Sequence, residues 1–171
     1  GMSLFTTNEW MLLLSARFVN VLLGALMAWV VLKAAKLLFP RRYAWMFTAL
    51  VVFLPGNVIL YSYVNCDALA MCSTAIIFYS WVKAYKEGWN WTTCAVSAIG
   101  MGLCFLSYYN AYGFILTTFF FFVGTMLTDQ EKAPKERWKE MIQKGLFILV
   151  IVCVIALWWF IRNAILYDGD F

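Results

Sequence analysis

Long apolar runs separated by short polar connections make up nearly the whole chain. A membrane-crossing helix needs about 20 mostly apolar residues to span the hydrocarbon core. The runs therefore predict an all-α fold, a polytopic transmembrane helical bundle of about six spans that forms a single domain over residues 1–171. The predicted helices cover approximately residues 7–39, 43–54, 66–84, 90–107, 113–128 and 142–162.

Proline and polar residues mark the predicted helix boundaries. Pro40 ends the first helix and Pro55 ends the second, because proline cannot donate the backbone hydrogen bond that continues a helix. We expect residues 55–65 to form a connection outside the helices. Asp67 is predicted to cap the helix that follows, since a carboxylate near a helix N-terminus is favourable by up to about 1 kcal/mol.

Composition and charge place this bundle in a membrane. Hydrophobic residues make up 64% of the chain and charged residues 13%, against about half and about a quarter in soluble proteins. Most of the cations lie in short clusters between apolar runs, which is typical of cytoplasmic loops. No aromatic and basic surface accompanies them, so nucleic acid is not an expected partner. The clusters contain Lys33, Lys36, Arg41, Arg42, Lys83, Lys86, Lys132, Lys135, Arg137, Lys139 and Lys144.

The remaining two cations are predicted to lie on the opposite side of the membrane, where both ends of residues 1–171 would also be extracytoplasmic. Charged residues in or beside spans often mark functional sites. A guanidinium matches the oxygens of a phosphate and keeps its charge, so Arg17 and Arg162 are candidate phosphate-binding residues. Alternatively, Arg17 reaches lipid headgroups or pairs with Asp67, and Arg162 is an interfacial anchor.

Other polar residues are predicted on the same side. Asp67 is the candidate catalytic residue, because a carboxylate can accept a proton from a hydroxyl or bind a divalent cation. A divalent cation is thus a candidate cofactor, with Asp67, Asp168 and Asp170 as candidate ligands. Asn65 and Asn163 are candidate donor-binding residues, and Asn20 is predicted to share one face of the first helix with Arg17. Tyr108, Tyr109 and Asn110 form a candidate cavity wall for a sugar or a prenyl chain, or belong to the interfacial aromatic belt.

The cysteines and the first residues of the chain do not alter the predicted membrane fold. The chain has no histidine, and its five cysteines lie in or beside apolar runs. We interpret them as small apolar side chains and expect neither a zinc site nor a disulfide framework. The start lacks the basic region of a signal peptide. Because Gly1 precedes Met2, we expect residues 1–171 to be a piece of a longer chain.

Five segments follow one another in an order that resembles a known family. They are SARFVNVLLGALMAWVVLKAAKLLFPRR, a helix ending at Pro55, VNCDALA, SYYNAYG and FIRNAILYDGD. Together they resemble the polytopic GT-C class of glycosyltransferases, which includes dolichyl-phosphate-mannose and aminoarabinose transferase types. The resemblance implies transfer of a sugar from a polyprenyl-phosphate carrier at the extracytoplasmic face. It covers nearly all of the chain.

The resemblance also implies roles for individual residues. Asp67 would lie at the outer mouth near the donor phosphate, Arg162 and Asn163 would face the same cavity, and Arg17 matches an early arginine of the family. Tyr109-Asn110 stands where such proteins often carry a cation. The family's first helix and its acidic loop, the usual seat of the catalytic carboxylate, would precede residue 3, so we expect residues 1–171 alone to be inactive.

The sequence therefore predicts an integral membrane protein, in the plasma membrane of a prokaryote and part of the cell envelope. Its expected partners are membrane lipid and a polyprenyl-phosphate sugar donor. Two alternatives stay open. A transporter or lipid flippase would carry polar residues and unwound helices at the membrane midplane. Only the break at Pro55-Gly56-Asn57 indicates such a helix. A non-catalytic membrane scaffold is the third reading.

Overall fold

The computed structural model describes residues 7–107, 109–128 and 133–166, with only the backbone of residues 7–9. These residues form seven α-helices, a 3₁₀ turn over Tyr109–Ala111, and no β-strand. The predicted all-α helical bundle is thus confirmed. The helices are α1 (Thr7–Leu38), α2 (Arg41–Val52), α3 (Pro55–Ser62), α4 (Asp67–Glu87), α5 (Trp91–Phe105), α6 (Tyr112–Thr128) and α7 (Pro134–Leu166).

Four of these helices, α1, α4, α6 and α7, are long and apolar enough to cross a membrane. The pair α2–α3, bent by 60°, adds a fifth crossing if the two helices form one span. Helix α5 has 15 residues and rises about 22 Å, which is less than the thickness of the hydrocarbon core. Against the expected six spans, the described residues thus offer four or five helices of full length and one shorter apolar helix.

The connection predicted over residues 55–65 contains helix α3 instead. Proline is tolerated at the first position of a helix, because the backbone N–H it lacks would have no partner there. Pro55 therefore ends α2 and begins α3. The Nδ2 of Asn57 donates across the break to the carbonyl oxygen of Val51 at 2.7 Å, which adds a short bond to a carbonyl that otherwise accepts the backbone N–H of Leu54 at 3.4 Å.

Helix α7 begins eight residues before the predicted residue 142. The added segment, PKERWKEM, is rich in residues with high helix propensity, so the charged stretch continues the helix rather than forming a loop. Arg137 Nη1 donates to the carbonyl oxygen of Leu127 at 2.7 Å. This bond ties the start of α7 to the end of α6.

The main helices pack as a row in the order α1, α4, α5 and α7, with α6 against α4, α5 and α7 and the α2–α3 pair against α1. Glycines allow the central contacts. A Cβ added at Gly100 would lie 2.9 Å from Ile77 of α4, and one at Gly102 would lie 2.9 Å from Ile155 of α7. Since small residues let membrane helices approach closely, α5 can hold a neighbour on each side.

Side-chain contacts fix the direction of each helix in the row. Trp91 stacks edge-on against Phe147 and Phe105 against Phe160, with ring centroids 5.1 and 6.3 Å apart, so α5 and α7 run parallel. Helix α4 turns back into α5 at Gly88, whose φ of 76° is one that glycine adopts readily. Helix α1 runs parallel to α4, because Asn20 bonds to the connection just before α4. Further along both helices, Met27 and Val30 pack in one cluster with Cys72 and Ile76.

Candidate functional site

The directions of the helices bring the predicted site residues to one end of the bundle, which we call the polar end. It contains the first turns of α1 after Trp10, the α3–α4 connection, the start of α4 and the ends of α5 and α7. The opposite end, the basic end, contains the clustered cations; Lys132 lies outside the described residues. The described site candidates at the polar end are Arg17, Asn20, Asn65, Asp67, Tyr109, Asn110, Arg162 and Asn163.

Side-chain amides hold the α3–α4 connection at the polar end. Asn20 Nδ2 donates to the carbonyl oxygens of Tyr63 at 2.6 Å and of Asn65 at 3.4 Å. Asn65 Nδ2 donates to the carbonyl oxygens of Leu60 at 2.6 Å and of Tyr63 at 3.2 Å. The side chain of Asn65, predicted to bind the donor, is thus occupied with the backbone around it.

The cap of α4 differs from the prediction. Asn65 Oδ1 accepts a hydrogen bond from the backbone N–H of Ala68 at 2.8 Å, the pattern of an N-cap side chain. Asp67, predicted to cap, is the first residue of α4, and its half-buried carboxylate has no hydrogen bond or ion pair with another described residue. The amide does the capping, so the carboxylate is left available.

The two arginines of the polar end lie on the outer helices of the row. Arg17 is exposed, and no ion pair joins it to Asp67 or to any other described residue. The Arg162 guanidinium lies 5.4 Å from the ring centre of Trp159, and its Nη1 is 3.5 Å from Oδ1 of Asn163. Helices α4 and α5 separate α1 from α7, and each helix-to-helix step is about 8–10 Å. The structure does not bring the two arginines together.

The turn between α5 and α6 exposes Tyr109 and Asn110. Two contacts that the sequence did not indicate hold it: Tyr112 Oη donates to the carbonyl oxygen of Phe105 at 3.1 Å, and Cys104 Sγ donates to that of Ala111 at 3.3 Å. The predicted wall residue Tyr108 and the candidate ligands Asp168 and Asp170 lie outside the described residues.

Metal binding stays a prediction. Within the part of the chain that the structure describes, no three histidine, cysteine, aspartate or glutamate side chains are grouped so that they could hold a metal ion. Asp67 is the one candidate ligand whose position is described. All five cysteines are free thiols, and Cys72, Cys94 and Cys104 are buried in the apolar core.

A groove of about 490 Å³ lies between α5, α6 and α7. Its walls are almost entirely apolar, and they contain neither Asp67 nor the two arginines. The single hydroxyl in the wall belongs to Thr118, which donates to the carbonyl oxygen of Phe114 at 2.6 Å and accepts from Trp81 Nε1 at 3.0 Å. The groove therefore offers contact surface for hydrocarbon but no group that could perform chemistry.

Comparison with known proteins adds the family. A family model described as dolichyl-phosphate-mannose-protein mannosyltransferase matches residues 1–160. The chain belongs to this family. The resemblance to the GT-C class is therefore confirmed, and the chain is an integral membrane protein of a mannosyltransferase-type glycosyltransferase family. No curated protein and no solved structure matches it.

The match to the mannosyltransferase family includes some candidates and leaves others out. Arg17, Asn65 and Asp67 lie within residues 1–160, whereas Arg162 and Asn163 lie just beyond them. Sequence reasoning placed Asn20 beside Arg17 but did not foresee that its amide would anchor the α3–α4 connection. That anchor depends on a contact between residues 43 positions apart, which no local pattern reports.

Proposed function

We propose that the chain forms the membrane core of an enzyme that transfers a sugar from a polyprenyl-phosphate carrier to an acceptor hydroxyl at the extracytoplasmic face. The observation that carries the proposal is the match of the mannosyltransferase family to residues 1–160. The polar end of the bundle is the proposed site, because it contains an unpaired carboxylate and two arginines.

The side of the membrane follows from charge. The described cations of the three clusters lie at the basic end, and clustered lysines and arginines favour the cytoplasmic side. The polar end would then face outward, where the sugar is transferred. The same reasoning makes both ends of residues 1–171 extracytoplasmic.

The proposed reaction is a displacement at the anomeric carbon of the donor sugar. The acceptor oxygen forms the new glycosidic bond and loses its proton to a base, while the bond from the anomeric carbon to the prenyl phosphate oxygen breaks and the electron pair leaves with the phosphate. Asp67 is the proposed carboxylate that orients the donor or binds a divalent cation, since no described partner neutralises it.

Arg162 is the proposed group that stabilises the negative charge of the leaving phosphate, a contribution that often dominates enzymatic rate enhancement, and Arg17 is proposed to contact another part of the donor. Because α4 and α5 stand between their helices, we assign them separate contacts with the donor rather than one shared phosphate oxygen. Each can therefore be tested alone.

The test is Arg162→Ala in the full-length protein, assayed in membranes with a radiolabelled polyprenyl-phosphate sugar. Removing one preorganised charge contact should lower the transfer rate by about 100-fold or more, with unchanged expression. Arg162→Lys should recover part of the rate, because the charge remains while the two-pronged geometry is lost. Lys86→Ala, an exposed cation of the basic end, is the matched control. Unchanged turnover in Arg162→Ala would remove the assignment.

A transporter or flippase remains the alternative, with one feature in its favour. The α2–α3 pair is a bent segment of the kind that such proteins use near their midplane. Against it, two buried hydroxyls of α4 bond to their own helix: Ser73 Oγ donates to the carbonyl oxygen of Ala70 at 2.9 Å, and Ser80 Oγ donates to that of Ile77 at 2.7 Å. We therefore prefer the transferase.

A further inference from the structure

Asn20 is a buried amide on a helix that otherwise presents mostly apolar side chains. Asn20 is only 6% exposed, although it lies in a part of α1 where most neighbouring residues are exposed. Burying an amide without hydrogen bonds is unfavourable. Its bonds to the carbonyl oxygens of Tyr63 and Asn65 therefore account for its presence there.

Those carbonyls belong to the extended segment between α3 and α4, where no helix supplies donors. Tyr63 has φ −127° and ψ 167°, a strand-like conformation. The side chain of Asn65 also holds this segment: it donates to the carbonyl oxygen of Leu60 before the segment and accepts from the backbone N–H of Ala68 after it. The segment is thus fixed twice, by its own amide and by the amide that reaches across from α1.

Asp67 follows this braced segment directly, and its backbone position depends on it. We propose that Asn20 is a positioning residue, which clamps the α3–α4 connection to α1 and so sets the place of the Asp67 carboxylate. The catalytic consequence rests on the proposed function; the clamp itself does not. The hydrogen bonds of Asn20 go to the backbone before Asp67 and not to its carboxylate, so Asn20 acts through the backbone of residues 63–66.

The matched pair Asn20→Leu and Asn57→Leu tests the clamp. Leucine keeps the branching of asparagine at Cγ, is larger, and cannot donate a hydrogen bond; both variants share this increase in size. Asn57 is equally buried, at 7% exposed, and also donates to one backbone carbonyl at 2.7 Å, but it braces the α2–α3 break instead. Both substitutions remove a buried hydrogen bond and should lower the melting temperature of the purified full-length protein to a similar extent.

Labelling of a buried position beside the connection tests the clamp without any need for activity. Ala68, in the first turn of α4, is fully buried, so a thiol introduced by Ala68→Cys reacts with a water-soluble maleimide only when the segment opens. In a Cys66→Ser, Cys153→Ala background, Asn20→Leu should raise this labelling rate by about tenfold, as expected from losing a bond of typical strength, and Asn57→Leu should leave it within twofold. Equal labelling rates with and without Asn20→Leu would overturn the clamp.

The kinetic arm tests the link to Asp67. Asn20→Leu should lower kcat by at least tenfold with little change in KM for the polyprenyl-phosphate sugar, whereas Asn57→Leu should change kcat by less than twofold. Faster labelling at position 68 with an unchanged kcat would overturn the positioning role. If wild type itself transfers no sugar, the proposed function fails, and the labelling arm still decides whether the clamp exists.

Discussion

The two ends of the bundle treat their charged groups differently. At the basic end, two carboxylates are paired: Lys83 Nζ lies 4.0 Å from Glu87 Oε2, and Lys144 forms an ion pair and a short hydrogen bond with Glu140. A third described carboxylate there, that of Glu136, is exposed to water. At the polar end, amides bond to backbone carbonyls, while Asp67 is half-buried and its carboxylate has no described partner. Among the described residues, the basic end thus pairs its carboxylates or exposes them to water, whereas the polar end keeps one partly buried and unpaired.

This difference separates topology from chemistry. Cations at the basic end are sufficient to orient the helices in a membrane, and they need no particular geometry to do so. An unpaired carboxylate in a half-buried position has a cost, and a rigid backbone around it is expected where the group serves a function. The polar end is therefore the place to look for the reaction.

The largest effect is expected for the carboxylate of the polar end. Asp67→Asn keeps the shape of the side chain and removes its charge, so we expect sugar transfer to fall by about 100-fold or more. The measurement is the initial rate with a radiolabelled polyprenyl-phosphate sugar in membranes. Glu87→Gln at the basic end, which removes a paired and exposed carboxylate, should leave the rate nearly unchanged. Equal rates in both variants would erase the contrast between the ends.

The next largest effect is expected at the close contact between α4 and α5, in the middle of the helix row. A side chain at Gly100 would meet both the side chain and the backbone N of Ile77, which cannot yield easily. Gly100→Leu should destabilise the protein by about 1–3 kcal/mol or more.

Gly124 on α6 provides the control for this effect, because a Cβ there meets nothing within 4 Å. Gly124→Leu should be neutral or stabilising, since leucine favours a helix more than glycine does. Melting temperatures in detergent measure both variants. A Gly100→Leu protein as stable as Gly124→Leu would contradict the close contact of α4 and α5.

The smallest effect is expected at the basic end. Lys83 and Glu87 are one helical turn apart, with side chains 19% and 48% exposed, and such pairs contribute about 0.3–0.5 kcal/mol. Lys83→Gln should therefore shift the melting temperature by little and leave transfer activity intact. A loss of activity comparable to that of Asp67→Asn would show that the basic end takes part in the reaction.

The long apolar runs and their polar boundaries were sufficient to predict the helical bundle and most helix starts, because each span is a local feature of the chain. It failed where one residue had two possible roles. Pro55 was interpreted as a helix end, yet it also begins α3. Asn65 and Asp67 are both good capping residues two positions apart, and the backbone of the connection decides that Asn65 caps.

The site was less predictable for a related reason. Sequence placed Arg17, Asp67 and Arg162 on one side, and the helix directions agree with that grouping. What it could not provide was the order of helices across the bundle, which puts α4 and α5 between the two arginines. The hydrogen bonds from Asn20 to the α3–α4 connection could not be predicted for the same reason, since they join residues far apart in the chain.

The most direct test is the accessibility of Cys66 in intact cells. Cys66 is exposed at the polar end, and the cytoplasmic control is Lys86→Cys in a Cys66→Ser background, at the basic end. A membrane-impermeant maleimide should label Cys66 in intact cells and the residue-86 cysteine only after permeabilisation. The reverse pattern, Cys66 labelled only after permeabilisation, would place the polar end in the cytoplasm and contradict transfer at the extracytoplasmic face.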